Sequence, residues 1–255
     1  MALSGVKKGA ALSPPRICIY GPPGVGKTTF ASSAPGVIMV PVEEGADVAG
    51  CDRFDLCESV PAVMAALDQL LNEKHDYSVV AVDSLDWFET IAWDQACVDA
   101  GVKSIEEVGG GYGKGYIAAL AYHRQLVGKL TQLRREKGMA CILLAHSQVK
   151  RFEAPDTEAF DRFEIKLHRR ASDLYTEFVD LLGFANVRVT TRETTSNFGQ
   201  KKVKAIGTGE RVLRVASRPN FVAKSRYPIA DELELSWSAL IEKITGEANG
   251  SANAA

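Results

Sequence analysis

A glycine-rich turn that follows a short apolar run constrains this chain more than any other feature. The apolar run occupies residues 17–20, and the turn reads G-x-x-x-x-G-K-T before a helix-forming stretch. Glycines let backbone N–H groups wrap a polyphosphate, because no Cβ holds the main chain away from it. The turn and the residue after it are Gly21, Pro22, Pro23, Gly24, Val25, Gly26, Lys27, Thr28 and Thr29.

The side chains of this turn predict which ligand it takes. Lys27 is spaced to reach the β- and γ-phosphates of a nucleotide, and the Thr28 hydroxyl is spaced to ligate Mg²⁺. A plain Gly/Pro connection between a strand and a helix is the alternative. The flanking strand and helix favour a phosphate-binding loop, with ATP and Mg²⁺ as its ligands.

Length and composition predict one sizeable domain with a packed core. The chain has 255 residues, of which 46% are hydrophobic and 24% are charged. We expect a flexible lead-in over residues 1–14, a single domain over 15–245 and a disordered tail over 246–255. The sequence has no apolar run near the roughly 18 residues of a membrane span and no signal-peptide core, so we expect a cytoplasmic protein without membrane contact.

An aspartate follows an apolar run that reads as a strand of a parallel sheet. The run, residues 77–82, is short and rich in valine and leads directly into Asp83. Ligands of such sheets bind at the carboxyl ends of the strands, so Asp83 is expected to hold Mg²⁺ through water beside Thr28. A turn-forming aspartate is the alternative for this residue taken alone.

Two glutamates follow the preceding strand-like run, residues 37–40. We expect Glu43 to polarise the water that attacks the γ-phosphate, and Glu44 is the next candidate. Ser84 follows Asp83 at the position where some P-loop families keep this carboxylate, which favours Glu43. The alternative is that one or both glutamates cap a turn or face solvent.

His146 follows a third strand-like run, residues 141–145, and is a candidate γ-phosphate sensor. A structural histidine is the alternative. Apolar residues at helical spacing predict helices over residues 60–73, 85–100, 116–137 and 171–179. Within the second of these helices, Trp87, Phe88, Ile91 and Trp93 are expected mostly in the core.

Two segments carry candidate contacts to nucleic acid, which must come from local patches because the net charge is −2. The first, residues 108–116, reads as a mobile glycine-rich loop or a plain turn, and the second, residues 149–170, reads as a long surface loop. Aromatic and basic side chains there can stack on bases and meet phosphates, although a solvated face is an equal alternative. The candidates are Tyr112, Lys114, Tyr116, Lys150, Arg151, Lys166, Arg169 and Arg170.

The remainder of the chain changes to shorter alternating segments. An apolar run over residues 181–185 completes the parallel core. Segments over 186–191, 202–206, 211–216 and 221–223 predict an antiparallel extension at the sheet edge, and a helix is expected over 236–245.

With these elements placed, the chain resembles RecA-like ATPases, and more closely the AAA nucleotide-binding proteins of tailed phages, which include RecA-like single-strand annealing proteins. The segments that carry the resemblance are GPPGVGKTTFASSAP (21–35), VPVEEG (40–45), VVAVDSLDW (79–87), GGGYGKGY (109–116), LLAHSQVKRFE (143–153), IGTGERVLR (206–214) and FVAKSRYP (221–228). The implied fold is α/β, a RecA-like P-loop NTPase core with a mostly parallel sheet flanked by helices and an antiparallel β extension on the C-terminal side. His146 stands where recombinases often carry glutamine.

The resemblance implies an ATPase that binds single-stranded DNA, is stimulated by it, and promotes annealing or strand exchange during phage recombination in the host cytoplasm. RecA-like ATP sites lie between subunits, so it also implies a homo-oligomer, as a filament, a ring or a weak oligomer. In that assembly Lys224 and Arg226 would act on the γ-phosphate of the neighbouring subunit. A single-strand binding protein is implied as a further partner, with DNA loops over residues 109–116 and 149–170.

Two other functions fit a chain with a phosphate-binding loop. One is a nucleotide-dependent switch or loader that grips a protein partner such as a replicative helicase. The other is a small-molecule kinase, which the sequence disfavours because a kinase would need a lid of arginines and no glutamate at the strand end.

Overall fold

A mostly parallel β-sheet lies at the centre of the computed structural model, which describes residues 13–45, 50–155, 157–195 and 201–252. Its strands are β1 (Arg16–Gly21), β2 (Val37–Pro41), β3 (Asp52–Arg53), β4 (Val79–Asp83), β5 (Ala140–Ala154), β6 (Thr157–Ile165), β7 (Leu181–Thr195), β8 (Lys201–Arg214), β9 (Lys224–Ser225) and β10 (Glu232–Glu234). Their order is β10-β8-β7-β1-β5-β4-β2-β3, with β6 on β5 and β9 on β7. Strands β1 to β5 and β7 pair in parallel, whereas β6, β8, β9 and β10 pair antiparallel.

Helices cover both faces of this sheet. They are α1 (Lys27–Ser32), α2 (Val60–Asn72), α3 (Leu85–Ala100), α4 (Lys114–Glu136), α5 (Arg169–Phe178) and α6 (Trp237–Ala252), and a short 3₁₀ helix spans Ile105–Gly110. On one face Phe30 of α1 packs edge-on against Trp237 of α6. On the other face α2, α3, α4 and α5 bury residues such as Leu67, Phe88 and Leu126. The predicted fold class, an α/β P-loop core with an antiparallel extension, is confirmed.

The register of the parallel strands brings the predicted strand-end residues to one edge of the sheet. Gly21 at the end of β1 is the partner of His146 on β5, and Pro41 at the end of β2 is the partner of Asp83 on β4. The central strands are buried on both faces, which is why their sequences are continuous apolar runs rather than alternating ones. The P-loop, the glutamates, Asp83 and His146 therefore lie at the same edge.

The prediction of a long surface loop over residues 149–170 is wrong. Strand β5 continues to Ala154 and turns back into β6, so that an antiparallel hairpin occupies most of the segment. The hairpin is held by side chains that face each other across the two strands: the rings of Phe152 and Phe160 lie 5.3 Å apart, and the Arg162 guanidinium lies 3.8 Å from the Phe152 ring centre. These cross-strand contacts stabilise the paired strands, although the mixed charge of the segment is typical of a loop.

The antiparallel extension is confirmed, but as one long hairpin rather than several short segments. Residues 181–185 and 186–191 belong to the single strand β7, which pairs with β8 from Phe184 to Thr195. Of the predicted segment 221–223, only Phe221 pairs, through isolated bridges. Helix α6 runs beyond the predicted end into residues 246–252, because a helix already nucleated by the buried Leu240 and Ile244 extends at little cost. Residues 1–12 of the predicted lead-in and 253–255 of the predicted tail lie outside the described residues.

Among the helices of the described residues, none is both long enough and apolar enough to cross a lipid bilayer.

Candidate nucleotide site

The P-loop is a turn between β1 and α1 whose glycines adopt conformations that other residues rarely take. Gly24 has φ 73° and Gly26 has φ 105°, both in the left-handed region. A side chain at Gly21 would overlap the backbone carbonyl oxygen of Ala185 on β7. Pro23, Gly24 and Thr29 are exposed, whereas Val25 is buried in the core and anchors the turn. All the predicted P-loop residues lie in this turn or, like Thr29, in the first turn of α1.

Lys27 is buried inside the turn. Its Nζ donates hydrogen bonds to the carbonyl oxygens of Gly21 and Pro22, each at 3.1 Å. Burial lowers the pKa of Lys27, and the negative charges of Asp83, Glu43 and Asp86 oppose that shift. The Lys27 side chain therefore lies against two main-chain carbonyl oxygens, near the carboxyl groups of the neighbouring strands.

Thr28 and Asp83 form the contact expected of a Mg²⁺ site. Thr28 Oγ1 donates a hydrogen bond to Asp83 Oδ2 at 2.7 Å, and the aspartate is only 3% exposed. Burial raises the pKa of Asp83, while the Thr28 hydrogen bond and the charge of Lys27 lower it in part. A hydroxyl and a carboxylate are oxygen ligands of the kind Mg²⁺ takes, so these two residues fit the ion.

Glu43 lies at the end of β2, next to Asp83. The backbone N–H groups of Val42 and Glu43 donate to the carbonyl oxygen of Asp83 at 2.6 and 3.3 Å, and Ser84 Oγ donates to Glu43 Oε2 at 3.2 Å. Burial and the nearby charge of Asp83 raise the pKa of Glu43. Glu44, in contrast, is exposed, so the geometry favours Glu43 as the base.

Asp86 is a member of the site that the sequence analysis missed. His146 binds it twice, through the backbone N–H to Oδ1 and through Nδ1 to Oδ2, both at 2.9 Å. Burial opposes ionisation, but these hydrogen bonds prevail and lower the pKa of Asp86. The available signal is its spacing: Asp86 stands three residues after Asp83, in the first turn of α3.

The side chains of Glu43, Asp86 and His146 form one cluster. One ligand atom of each lies within 4.8 Å of the others, and His146 Nδ1 is 4.0 Å from Glu43 Oε2. Such a set could hold a metal ion, yet the short contact between His146 and Asp86 also fits a hydrogen-bonded pair that orients the imidazole.

Arg211 is a second residue that the sequence analysis missed. It lies on β8, and a Cβ built on Gly26 would be only 2.9 Å from its Nη1. The guanidinium thus lies against the P-loop within the same chain. Local sequence carries no signal for this contact, because it depends on the pairing of β8 with β7 and of β7 with β1.

The candidate nucleic-acid residues are only partly brought together. Lys166 and Tyr116 lie near Asp86 and α3: Lys166 Nζ is 4.0 Å from Asp86 Oδ2, and the Tyr116 ring stacks on His168. Lys150 and Arg151 belong to the β5–β6 hairpin. The other members are exposed and lie in the glycine-rich segment or at the start of α5; they are Tyr112, Lys114, Arg169 and Arg170.

Lys224 and Arg226 lie far from the P-loop of their own chain. Both are near Asp180, which precedes β7 at the amino-terminal ends of the parallel strands, away from the P-loop. Arg226 Nη1 is 3.0 Å from Asp180 Oδ1 there. Lys224 Nζ donates to the carbonyl oxygens of Thr176 and Val179 at 2.7 and 3.0 Å. Their action on a neighbouring subunit stays a prediction.

Trp87 is not in the core, where the sequence analysis expects it. Its surface is 49% exposed, and Trp93 is half-buried. Phe88, between them in sequence, is fully buried. The reason is helical geometry: α3 packs one face on the sheet, and Trp87 points away from that face.

A family model described as an AAA domain matches residues 13–227, which is most of the chain. No curated protein matches the chain. The match covers the P-loop, Glu43, Asp83, Asp86, His146 and Arg211, and it agrees with a parallel sheet whose strand ends hold the site. The chain therefore belongs to the AAA domain family of P-loop nucleoside triphosphatases.

Proposed function

We propose that this protein binds ATP with Mg²⁺ in its P-loop and hydrolyses it, with Glu43 as the general base. The observation that carries this proposal is the meeting of Glu43, Asp83 and His146 at one edge of the sheet, beside the Thr28–Asp83 contact. Bound Mg²⁺ would neutralise charge on the β- and γ-phosphates, held by Thr28 and Asp83.

The protein's own residues divide the remaining work. Glu43, with its raised pKa, accepts the proton of the attacking water more readily than a solvated carboxylate would. Lys27 and Arg211 supply positive charge at the P-loop, where phosphate charge has to be stabilised. Asp86 fixes the orientation of His146, whose Nδ1 is 4.0 Å from Glu43 Oε2 and whose strand, β5, continues into the hairpin.

The experiment compares Glu43→Gln with Glu44→Gln, using nucleotide retention and phosphate release as separate readouts. We expect Glu43→Gln to retain ATP while its turnover falls roughly a hundredfold or more. The exposed Glu44 is the matched control, and its variant should hydrolyse ATP like the wild type. Equal turnover in wild type and Glu43→Gln would reject Glu43 as the base.

We further propose that the ATPase acts on single-stranded DNA and promotes annealing or strand exchange in a phage setting. In this proposal the protein works as a homo-oligomer, with a single-strand binding protein as a partner. Support comes from the hairpin β5–β6, which is continuous with the strand that carries His146 and presents Lys150 and Arg151. The exposed cations Lys166, Arg169 and Arg170 follow the hairpin. Phosphates bound there would contact residues next to β5, the strand that carries His146 at the nucleotide site.

The salt dependence of oligonucleotide binding tests this second proposal. Each phosphate contact that is lost should make the log–log slope less steep by about 0.7, so Arg169→Ala and Arg170→Ala should each flatten it. Exposed Arg135 at the end of α4 provides a control substitution to alanine that leaves the slope unchanged. A wild-type protein that hydrolyses ATP but binds no oligonucleotide would instead favour a nucleotide-dependent loader acting on a protein partner.

A further inference from the structure

A cavity of about 530 Å³ lies beside the nucleotide site and shares Asp86 with it. Helix α3 contributes Trp87 and Trp93 to its wall, and the start of α4 contributes Tyr116. The segment between β6 and α5 contributes Lys166 and His168. Four rings, the Lys166 cation and the carboxyl groups of Asp86 and Glu89 therefore line one opening.

The rings are held in fixed positions. Tyr116 and His168 stack with centres 4.7 Å apart and planes 5° apart, and Trp93 meets Tyr116 edge-on at 5.3 Å. The Tyr116 hydroxyl donates to Glu106 Oε1, and the backbone N–H of His168 donates to both carboxylate oxygens of Glu89 at 2.9 Å. Trp87 keeps about half of its surface, 49%, open to solvent. A flat aromatic ligand could stack on it with little rearrangement.

Cations and carboxyl groups both lie around the cavity, and the cations lie at its rim. Burial and the neighbouring charges of Arg170 and Lys150 lower the pKa of His168, so both cations lie within electrostatic range of the cavity wall. The Lys166 side chain is 60% exposed at the rim. Asp86 and Glu89 belong to the cavity wall, where their carboxyl groups already accept hydrogen bonds from His146 and from the His168 backbone. An aromatic wall with a cationic rim matches an unpaired base and its phosphate, and matches an apolar peptide less well.

We propose that this cavity binds one unpaired nucleobase of single-stranded DNA, stacked on Trp87, with an adjacent phosphate paired to Lys166. The inference rests on the proposed DNA function and assigns that function a specific base-binding site. The site is joined to the catalytic edge by two contacts: the Lys166 backbone N–H donates to the carbonyl oxygen of His146 at 2.8 Å, and Lys166 Nζ lies 4.0 Å from Asp86 Oδ2. A phosphate that moves the Lys166 side chain would thus alter the charge around Asp86.

The experiment separates base contacts from phosphate contacts. The full chain is titrated with oligothymidylate of about 20 nucleotides and with an abasic oligomer of the same length, by anisotropy at fixed salt. Trp87→Ala should weaken oligothymidylate binding roughly five- to hundredfold and leave abasic binding unchanged. Lys166→Ala should weaken both. Val98→Ala, an exposed apolar residue on the same helix, is the matched control and should change neither.

Tryptophan emission provides a second readout that does not need an alanine variant to fold. Trp237 packs on the opposite face of the sheet, so quenching by oligothymidylate should persist in Trp237→Phe and disappear in Trp87→Phe with Trp93→Phe. Two results together would overturn the base site while the DNA function stands. The wild type would bind oligothymidylate without quenching, and Trp87→Ala would bind it as tightly as the wild type. Binding of no oligonucleotide at all would reject the DNA function itself. Quenching by a peptide but not by DNA would also overturn the base site.

Discussion

The Nδ1 atom of His146 lies 2.9 Å from Oδ2 of Asp86, and the backbone N–H of the same histidine donates to the other carboxylate oxygen. A carboxylate accepts both hydrogen bonds, whereas an amide offers only one acceptor oxygen. The ionised carboxylate of Asp86 therefore fixes the orientation of the His146 imidazole.

Asp86→Asn is expected to slow ATP hydrolysis roughly tenfold to a hundredfold without changing nucleotide affinity by more than about twofold. The reason is that the amide oxygen would accept from the His146 backbone N–H, so the amide nitrogen would face Nδ1 and force the imidazole to keep its proton on Nε2, while the P-loop stays intact. Turnover and ATP retention are measured separately. Asp94→Asn, an exposed aspartate on the same helix, should behave like wild type. Unchanged turnover in Asp86→Asn would show that the pair is structural only.

Thr28→Val should raise the Mg²⁺ concentration needed for half-maximal hydrolysis by roughly tenfold or more. Valine keeps the β-branched shape but removes the hydroxyl that contacts Asp83 at 2.7 Å, so one side-chain oxygen near the ion is lost. A Mg²⁺ titration of ATPase activity measures the change. Thr29→Val, next in sequence and exposed, is the control, and an equal effect in both variants would count against a direct role for Thr28.

Arg211→Ala should weaken ATP binding, with the dissociation constant rising roughly fivefold to fiftyfold at low salt. A unit charge near a triphosphate contributes a few kcal/mol at the effective dielectric constant of a protein surface, and salt reduces that contribution. The measurement is nucleotide titration at two ionic strengths. Arg218→Ala removes an exposed arginine that is paired with Asp231 away from the P-loop, and it should bind ATP normally. Normal affinity in Arg211→Ala would mean that its contact with Gly26 is only packing.

The stability of the fold should depend on Glu89 between about pH 4.5 and about pH 7. Burial raises the pKa of Glu89 to about 7. Below about pH 4.5 the carboxyl is protonated in both states, and as the pH rises the unfolded chain releases the proton first. The native state therefore loses on the order of 3 kcal/mol across this window, relative to a residue that cannot ionise.

Urea unfolding of wild type and Glu89→Gln at a series of pH values checks this prediction. Glutamine can still accept a hydrogen bond from the His168 backbone but cannot ionise, so its advantage over wild type should grow with pH and level off above about pH 7. The exposed Glu136→Gln should show a constant difference. A difference that does not vary with pH would contradict the raised pKa of Glu89.

Mixing two inactive variants tests whether Arg226 acts on a neighbouring subunit. Arg226→Ala keeps an intact P-loop, and Glu43→Gln keeps an intact Arg226, so a mixed interface would contain one complete site. Recovery of ATPase activity in the mixture, absent from either variant alone, is the expected result. Asp180 keeps its contact with Arg16 in the variant, so the fold should persist. Full activity of Arg226→Ala by itself would reject the role.

The sequence by itself determined the parts of this protein that depend on local chemistry. The P-loop can be recognised because its glycines, lysine and threonine act within one turn, and β1, β2 and β4 can be recognised because strands buried on both faces leave unbroken apolar runs. Asp83 and Glu43 followed from the rule that ligands bind at carboxyl ends of parallel strands.

Tertiary structure decided the rest, because the remaining contacts join residues that are distant in sequence. Asp86 meets His146 only because β4 and β5 are neighbours, and Arg211 reaches Gly26 only through the order β8-β7-β1. The β5–β6 hairpin depends on cross-strand pairs such as Phe152 and Phe160, which no single-strand periodicity reveals. Trp87 was read as core because its spacing is helical, but whether a helical face meets a sheet or solvent is set by packing, which a local pattern does not contain.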